Sequence, residues 1–232
     1  MYDPFPPELA ACRRCPRLVA HREEIGRTKR RAYQNETYWS KPVPGFGDPQ
    51  ARILLLGLAP GAHGSNRTGR MFTGDASGNF LYPALYRTGL ANQPEARHRN
   101  DGMELRGVFI TSAARCVPPG NKPTSEEVAN CRGWLERDLA GLTELRVVLA
   151  LGAIGHDSYL EFLRARGAAI VKNRHKFAHG ALHRLEETIP GALPLLDAYH
   201  VSFQNTNTGT LTPDMFDAVL QRAMRLAGLA EA

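Results

Sequence analysis

Four short apolar runs constrain the fold of this chain more strongly than any other feature of its sequence. Each ends at or next to a glycine or a polar residue, and the four are ARILLLGL (51–58), GVFITS (107–112), LRVVLALG (145–152) and LPLLDAYH (193–200). Strands that are apolar throughout are typical of parallel sheets covered on both faces. Helical patterns lie between and after the runs, at residues 77–90, 123–142, 153–167 and 212–229. This alternation predicts an α/β fold with three layers, α/β/α, around a central four-stranded parallel sheet.

The remaining segments fit around this pattern. The sequence TPD (212–214) is a strong start signal for the last helix, and Thr124 or Ser125 is expected to cap the helix at 123–142. Residues 26–50 show no periodicity, and we interpret them as an irregular surface stretch that leads into the first strand. At this length the whole chain, 1–232, is expected to form a single domain.

Unusual residues follow three of the predicted strands. In parallel α/β sheets, ligands bind beyond the carboxyl ends of the strands. The stretches that follow these ends here are GLAPGAHGSNRTGRMFTGDASG (57–78), TSAARC (111–116) and HVSFQNTNTG (200–209). The sequence therefore predicts that one binding site is built from these three loops.

The glycine-rich loop resembles a nucleotide-binding loop only superficially. Its spacing G-x-x-x-x-G (64–69) is followed by Arg70 and Met71, where nucleotide binding needs a lysine and then a hydroxyl for magnesium. A better interpretation is that the glycines allow the backbone to approach a flat ligand. Phe72 would then offer a stacking face and Asp75 a carboxylate. The alternative is a tight turn with Phe72 in the core.

The four cysteines predict a metal site. Cys12 and Cys15 form a C-x-x-C pair, and Cys116 and Cys131 follow far along the chain. Two disulfides are not expected in a reducing compartment, whereas four thiolates suit zinc or an iron–sulfur cluster. The spacing does not choose between these metals, and four unrelated thiols remain the alternative.

Histidines occur in two patterns. His200 ends the last strand, where it would donate to a developing negative charge, and Ser202 with nearby backbone N–H groups would hold a phosphate. His175, His179 and His183 are spaced four apart, but Gly180 interrupts any helix there. We interpret those three as part of a polar, basic surface.

Charge and hydropathy limit the class of partner. The net charge of +6 and the isoelectric point of about 9.3 fit a polyanion such as nucleic acid. The segment MYDPFPPELA (1–10) lacks the basic and apolar regions of a signal peptide. No apolar run reaches the roughly 18 residues that a spanning helix needs. We therefore expect a cytoplasmic protein without membrane contact.

Taken together, these motifs resemble the uracil-DNA glycosylase superfamily, and most closely its family 5 enzymes, which hold a 4Fe–4S cluster. GLAPGAHGSNRTGRMFTGD (57–75) is similar to the first motif of that family, and HVSFQNTNTGTLT (200–212) to the second. The segment from Ala114 to Cys131 is similar to the stretch that carries the last two cluster cysteines. The resemblance runs from Cys12 to about Thr212.

The resemblance implies a function and a cofactor. The chain is expected to act as a monofunctional, monomeric DNA-repair glycosylase that flips a base out of DNA and hydrolyses its N-glycosidic bond. Expected substrates are uracil and other deaminated bases such as hypoxanthine and xanthine, in double-stranded DNA and also in single-stranded DNA. The cluster, held by the four cysteines, would be structural. In a prokaryotic cell such an enzyme would act on the nucleoid.

The resemblance also suggests site residues. Asp75 and His200, helped by Asn121, are the expected catalytic residues. The residues expected to contact the substrate are Gly57, Ala59, Phe72, Ser112 and Ser202.

Some positions differ from the related families. Leu58 stands where family 4 has the glutamate that acts on water, so the carboxylate must come from elsewhere. Ser112 stands where family 4 has an asparagine that reads the edge of uracil, which suits a looser pocket. Phe203 and Thr210 stand where we expect arginines that grip phosphate. The competing hypothesis is a nucleic-acid-binding protein with a zinc or iron–sulfur site and no glycosylase activity.

Overall fold

The centre of the molecule is a twisted sheet of six strands. The computed structural model describes residues 3–229, so the ends of the predicted 1–232 domain lie outside the described residues. The strands are β1 (Phe46–Gly47), β2 (Ile53–Gly57), β3 (Val108–Ser112), β4 (Val147–Leu151), β5 (Leu182–His183) and β6 (Leu195–Ala198). Their order across the sheet is β1-β3-β2-β4-β6-β5. The inner strands β3, β2, β4 and β6 are parallel, which confirms the four predicted strands.

The two edge strands are additions to the predicted sheet. β1 pairs antiparallel with β3, and β5 pairs antiparallel with β6. Each has two half-buried residues, which is too short to produce a periodic pattern in the sequence. The sheet is therefore wider than the four strands that the sequence predicts.

Eight α-helices accompany the sheet in the described part of the chain. They are α1 (Pro7–Ala10), α2 (Pro16–Thr28), α3 (Ser65–Thr68), α4 (Ala76–Arg87), α5 (Ser125–Gly141), α6 (Ala153–Ala165), α7 (Phe203–Asn207) and α8 (Pro213–Ala227). The four predicted helices correspond to α4, α5, α6 and α8. Thr124 caps α5 in a capping box with Glu127, and Thr212 caps α8.

The helices cover both faces of the sheet, as the three-layer prediction requires. On one face, Leu55 and Leu149 of the strands pack in a cluster with Leu81 of α4 and Leu220 of α8. On the other, alternate strand residues pack against α5 and α6. Because both faces of the sheet are buried, the strand residues that point to either face are apolar, which explains the continuous apolar runs.

The interpretation of residues 26–50 as a surface stretch is wrong. Tyr38 and Val43 are buried, and Trp39 and Ser40 donate backbone hydrogen bonds to the loop that contains α3. Backbone pairing between distant segments leaves no local pattern, so single-sequence periodicity did not detect it. This stretch braces the glycine-rich loop from outside.

Every inner strand ends toward the same edge of the sheet. The loops after β2, β3 and β6 therefore meet there, as expected for parallel strands. Within residues 3–229, no helix is both long and apolar enough to cross a membrane.

Candidate active site

A cleft of about 840 Å³ lies where these three loops meet. It collects all the predicted catalytic and substrate-contacting residues except Gly57, and these are Ala59, Phe72, Asp75, Ser112, Asn121, His200 and Ser202. Gly57 ends β2 and lies behind Phe72 instead, because a Cβ on Gly57 would lie 3.0 Å from the Phe72 ring. Residues more than 140 positions apart in sequence thus face one cavity.

Asp75 caps helix α4, a structural role that the sequence did not reveal. Its Oδ1 accepts a hydrogen bond of 3.1 Å from the Gly78 N–H. Burial raises the pKa of the Asp75 carboxyl above its ordinary value, despite this bond and the Arg67 guanidinium. A carboxylate with a raised pKa accepts a proton more readily than an ordinary one, which suits a general base.

Two glycines make room for the other oxygen of Asp75. A Cβ on Gly61 would lie 2.7 Å from Oδ2, and one on Gly64 would overlap that oxygen. The glycine-rich loop therefore wraps closely around the carboxylate, and its composition is explained by that packing as well as by access for a ligand.

Phe72 forms an aromatic wall of the cleft in a constrained backbone conformation. Its φ is +51°, in the left-handed region that few large residues adopt. Its N–H donates to Ser65 Oγ at 3.0 Å, which holds that conformation. The ring centroid lies 6.2 Å from that of His200, with 39° between the planes. Phe72 is 9% exposed and packs in the core while it also lines the cleft, and its role as a stacking face stays a prediction.

His200 presents a neutral imidazole to the cleft. Burial lowers the pKa of His200 to about 4, so the ring carries a single N–H at neutral pH. Its backbone carbonyl accepts from Asn205 Nδ2 at 2.8 Å, and no hydrogen bond to its ring occurs among the described residues. The ring nitrogens are therefore available to a bound molecule.

The hydroxyls and the amide at the site differ in what they offer. Ser112 is buried, and its Oγ donates to the Ala114 carbonyl at 2.8 Å, so its proton is already used. Ser202 caps α7 through Asn205. Asn121 is exposed on the rim at φ +57°, and no hydrogen bond of its side chain is found in the described structure. Of these three side chains, only that of Asn121 makes no hydrogen bond in the described structure, so its amide is free to contact a bound molecule.

Three further residues with basic side chains that line the cleft were not predicted: Arg30, His63 and Lys122. His63 Nδ1 lies 3.0 Å from the hydroxyl of Tyr38, which stands behind it, and burial lowers the pKa of His63. Arg30 and Lys122 place positive charge on the rim. The contact between Tyr38 and His63 spans 25 residues of irregular chain, so no sequence signal identified it.

The four cysteines surround a small second cavity. All of them are free and half-buried, and all line it beside Leu18, Val19 and Trp134. Three of the sulfur atoms accept hydrogen bonds: Cys116 from Arg22 Nη1 at 3.0 Å, Cys131 from the Arg115 N–H at 3.2 Å, and Cys15 from Asn130 Nδ2 at 3.8 Å. Burial raises the thiol pKa of Cys116 to about 11 and that of Cys131 to about 12.

The hydrogen-bond donors around these sulfurs indicate whether a metal ion or cluster suits the cysteine site. Arg22 is 2% exposed, and its Nε has no hydrogen-bond partner in the described chain. A buried guanidinium against neutral thiols is costly, whereas thiolates bound to a metal would compensate its charge. The residues present therefore fit a thiolate-ligated metal centre.

The interpretation of His175, His179 and His183 as a polar surface is wrong for His183. The His183 side chain is 9% exposed and its Nε2 lies 3.0 Å from Asp197 Oδ2. His179 Nδ1 accepts from the Tyr199 N–H at 3.1 Å. The segment folds back onto β6 through β5, a pairing that the spacing of four residues did not indicate.

Comparison with known proteins gives consistent matches. A profile of the uracil DNA glycosylase superfamily matches residues 44–223. The type-5 uracil-DNA glycosylase of Thermus thermophilus is 55% identical over 98% of this chain and 99% of that protein. That of Pyrobaculum aerophilum is 45% identical over 98% and 94%. A type-4 uracil-DNA glycosylase of Pyrobaculum aerophilum is 32% identical over 62% and 66%.

Proposed function

Since the chain belongs to the uracil DNA glycosylase superfamily, we propose that it removes uracil from DNA by hydrolysing the N-glycosidic bond. The motif resemblance to family 5 is confirmed by the type-5 relatives, which are alike over nearly the whole chain. The observation that carries the mechanism is that a buried carboxylate, Asp75, and an unpartnered neutral imidazole, His200, line the same cleft. We also propose that the chain forms a single domain and acts as a monomer.

The target base must leave the helix before it reaches this cleft. Extruding a base costs a few kcal/mol, and less at a mismatch, which favours damaged sites. The extruded base would enter the cleft beside the Phe72 ring, with the backbone at Ala59 on another side. A flat slot of this kind accepts a nucleobase through stacking, with a contribution of about 1–3 kcal/mol.

His200 would stabilise the departing base. As the bond between C1′ and the base nitrogen breaks, both bonding electrons go to the base, and its carbonyl oxygen gains negative charge. The neutral His200 ring donates its N–H to that oxygen without having to lose a charge. Removal of one such donor typically costs about 10²–10³ in rate.

Asp75 would act on the sugar side. The sugar becomes oxocarbenium-like as the base leaves, and the carboxylate stabilises this cation and orients a water molecule. The water oxygen then bonds to C1′, and Asp75 accepts the proton that the water loses. Asn121, on the rim with a free amide, would help to position the water or the DNA backbone.

A wider range of bases follows from Ser112. Its hydroxyl proton is directed to the Ala114 carbonyl, so Ser112 offers no donor to the edge of a pyrimidine. A pocket without that donor discriminates less between uracil, hypoxanthine and xanthine. We therefore propose that other deaminated bases are substrates, and that Ser202 and the rim charges of Arg30 and Lys122 contact the DNA backbone.

We propose that Cys12, Cys15, Cys116 and Cys131, which line one cavity, hold a 4Fe–4S cluster, as the resemblance to family 5 implies. The cluster would cross-link the N-terminal helices to the sheet. Four free thiols agree with a reducing cytoplasm.

The test is release of free base from defined DNA. Duplexes with one U·G, hypoxanthine·T or xanthine·C pair, and the corresponding single strands, are incubated with the brown, iron-loaded protein. Free base is then measured by chromatography. We expect release of uracil and of the other two bases from duplex DNA. Release of uracil alone would limit the proposal to one substrate, and release of no base, with DNA binding intact, would favour a binding protein without chemistry.

A further inference from the structure

A second group of metal-ligating side chains lies away from the cleft and from the cysteines. It consists of His156 on α6, His183 on β5 and Asp197 on β6, with one ligand atom of each within 4.8 Å of the others. The His156 side chain is 2% exposed and that of Asp197 is fully buried. The glycosylase chemistry proposed above uses none of the three.

The hydrogen bonds of His156 show that a positive charge is needed between its ring and Asp197. His156 Nε2 lies 2.9 Å from the His175 carbonyl oxygen, which can only accept, so Nε2 carries the N–H. In a neutral imidazole Nδ1 then has a lone pair, yet Nδ1 lies 2.9 Å from Asp197 Oδ1. Two lone pairs at this distance repel each other. A cation, either a proton or a metal ion, must therefore lie between these two atoms.

A second histidine gives this group a donor set that suits a metal ion. His183 points its Nε2 at Asp197 Oδ2 at 3.0 Å, so two imidazole nitrogens and both carboxylate oxygens converge. The bond from His156 Nε2–H to a backbone carbonyl is the arrangement that orients most metal-bound histidines. The Ala178 N–H also lies 3.3 Å from Oδ2 and supports the carboxylate from behind.

We propose that His156, His183 and Asp197 bind one divalent transition-metal ion of the zinc type. Two imidazole nitrogens and a carboxylate are a donor set that such ions favour. The ion neutralises Asp197, which is otherwise a costly buried charge. It also joins α6, β5 and β6, and β6 leads directly to Tyr199 and His200. The site is independent of the cysteines and of the proposed catalytic residues.

Zinc binding to variant proteins tests the assignment. His183→Gln removes one ligand and retains an amide donor for Asp197, and His98→Gln, which changes an exposed histidine elsewhere, is the matched control. Each iron-loaded protein is dialysed against micromolar ZnCl₂. The zinc and iron content per chain is then measured by inductively coupled plasma mass spectrometry. Equal iron shows that the cysteine site is filled in every protein.

We expect one zinc ion per chain in the wild type and in His98→Gln, and none in His183→Gln. Zinc should raise the melting temperature of the first two proteins only, because an ion that binds the folded state alone stabilises it. Equal zinc content in all three proteins, or no zinc in any of them, would overturn the proposal.

A measurement on the wild type avoids dependence on how the variant folds. In ¹⁵N-histidine NMR, zinc should convert His156 Nδ1 and His183 Nε2 into unprotonated, metal-bound nitrogens. If His156 instead carries protons on both nitrogens with and without zinc, the cation is a proton and the metal site does not exist.

Discussion

The carboxylate of Asp75 owes its position to residues that have no side chain. Because Gly64 leaves space for Oδ2, Gly64→Ala should displace the carboxylate while the loop stays folded. A misplacement of about 1 Å can cost about 10²-fold in rate, and we expect a loss of that size in single-turnover uracil excision.

The matched control is Gly133→Ala in α5, where an added Cβ meets open space. This substitution should leave the excision rate unchanged and should stabilise the protein by about 0.5–1 kcal/mol, since alanine favours a helix over glycine. Equal rates for Gly64→Ala and Gly133→Ala would show that the packing around Asp75 does not govern catalysis.

His200 and Asp75 together predict the pH dependence of excision. His200, with its pKa lowered to about 4, stays neutral above that pH, so its titration produces no step near the ordinary histidine value of about 6.5. The pKa of Asp75 is raised, so this carboxylate becomes protonated and loses its charge as the pH falls through its pKa. The excision rate should fall with the ionised fraction of Asp75. Single-turnover rates should therefore show one decline toward acid, set by Asp75.

The same profile measured on Asp75→Asn provides the control. Its residual activity should lack the acid decline that we assign to this carboxylate. A break near pH 6.5 that persists in Asp75→Asn would instead mean that His200 acts as an ordinary titrating histidine.

Single residues differ in how far the sequence reveals them. Asp75 and His200 were predicted because each stands next to the end of a recognisable strand or motif. The capping role of Asp75 was missed because the helix start was placed at Ser77 rather than Ala76. His183 was misread because a two-residue strand, not a helix, sets its direction.

At the scale of elements, the cysteine site should hold helices α1 and α2 against the sheet. Cys12 and Cys15 lie between α1 and α2, whereas Cys116 follows β3 and Cys131 lies in α5. A cross-link that closes a loop of about 100 residues is worth a few kcal/mol. Cys116→Ser should therefore lose the cluster and weaken the attachment of the N-terminal helices more than the sheet.

Hydrogen exchange measured by mass spectrometry checks this prediction. Protection should fall at residues 7–28 and persist in β2 and β4. Ser125→Ala, an exposed change at the first residue of α5, should leave protection as in the wild type. Unchanged protection of residues 7–28 in a cluster-free protein would contradict the structural role.

Elements were predictable where burial imposes a pattern. The inner strands are apolar throughout because helices cover both faces of the sheet. The start of α8 was predictable because Thr212 and Pro213 are typical of a helix N-terminus. Strands β1 and β5 were not predictable, because they depend on pairing with distant β3 and β6. The same reason hid the packing of residues 26–50 against the glycine-rich loop.

For the whole molecule, the distribution of charge should set the affinity for DNA. The loop beside the cleft has the exposed residues Phe203 and Thr210 where the resemblance leads us to expect arginines. The double change Phe203→Arg, Thr210→Arg should tighten DNA binding and make it more sensitive to salt. Each new phosphate contact adds about 0.9 to the slope of log affinity against log salt.

Fluorescence anisotropy at several salt concentrations measures this slope. The neutral pair Phe203→Gln, Thr210→Ser is the control and should keep the wild-type slope. If both pairs give the same slope, the loop does not contact the phosphates.

The architecture of the whole molecule was the most predictable level. Alternating strands and helices specified parallel topology, and parallel topology specified which loops meet. The width of the sheet and the second histidine cluster arise from contacts between segments far apart in sequence, so they required the structure.

The most direct test of the account is the single-turnover rate of uracil release from a U·G duplex, compared between wild type, Asp75→Asn and His200→Ala. Asparagine caps a helix about as well as aspartate, so Asp75→Asn separates chemistry from folding. We predict release by the wild type and losses of about 10²–10³ in each variant. Wild-type rates in both variants, or no release by iron-loaded wild-type protein, would contradict the assignment of this cleft as the active site.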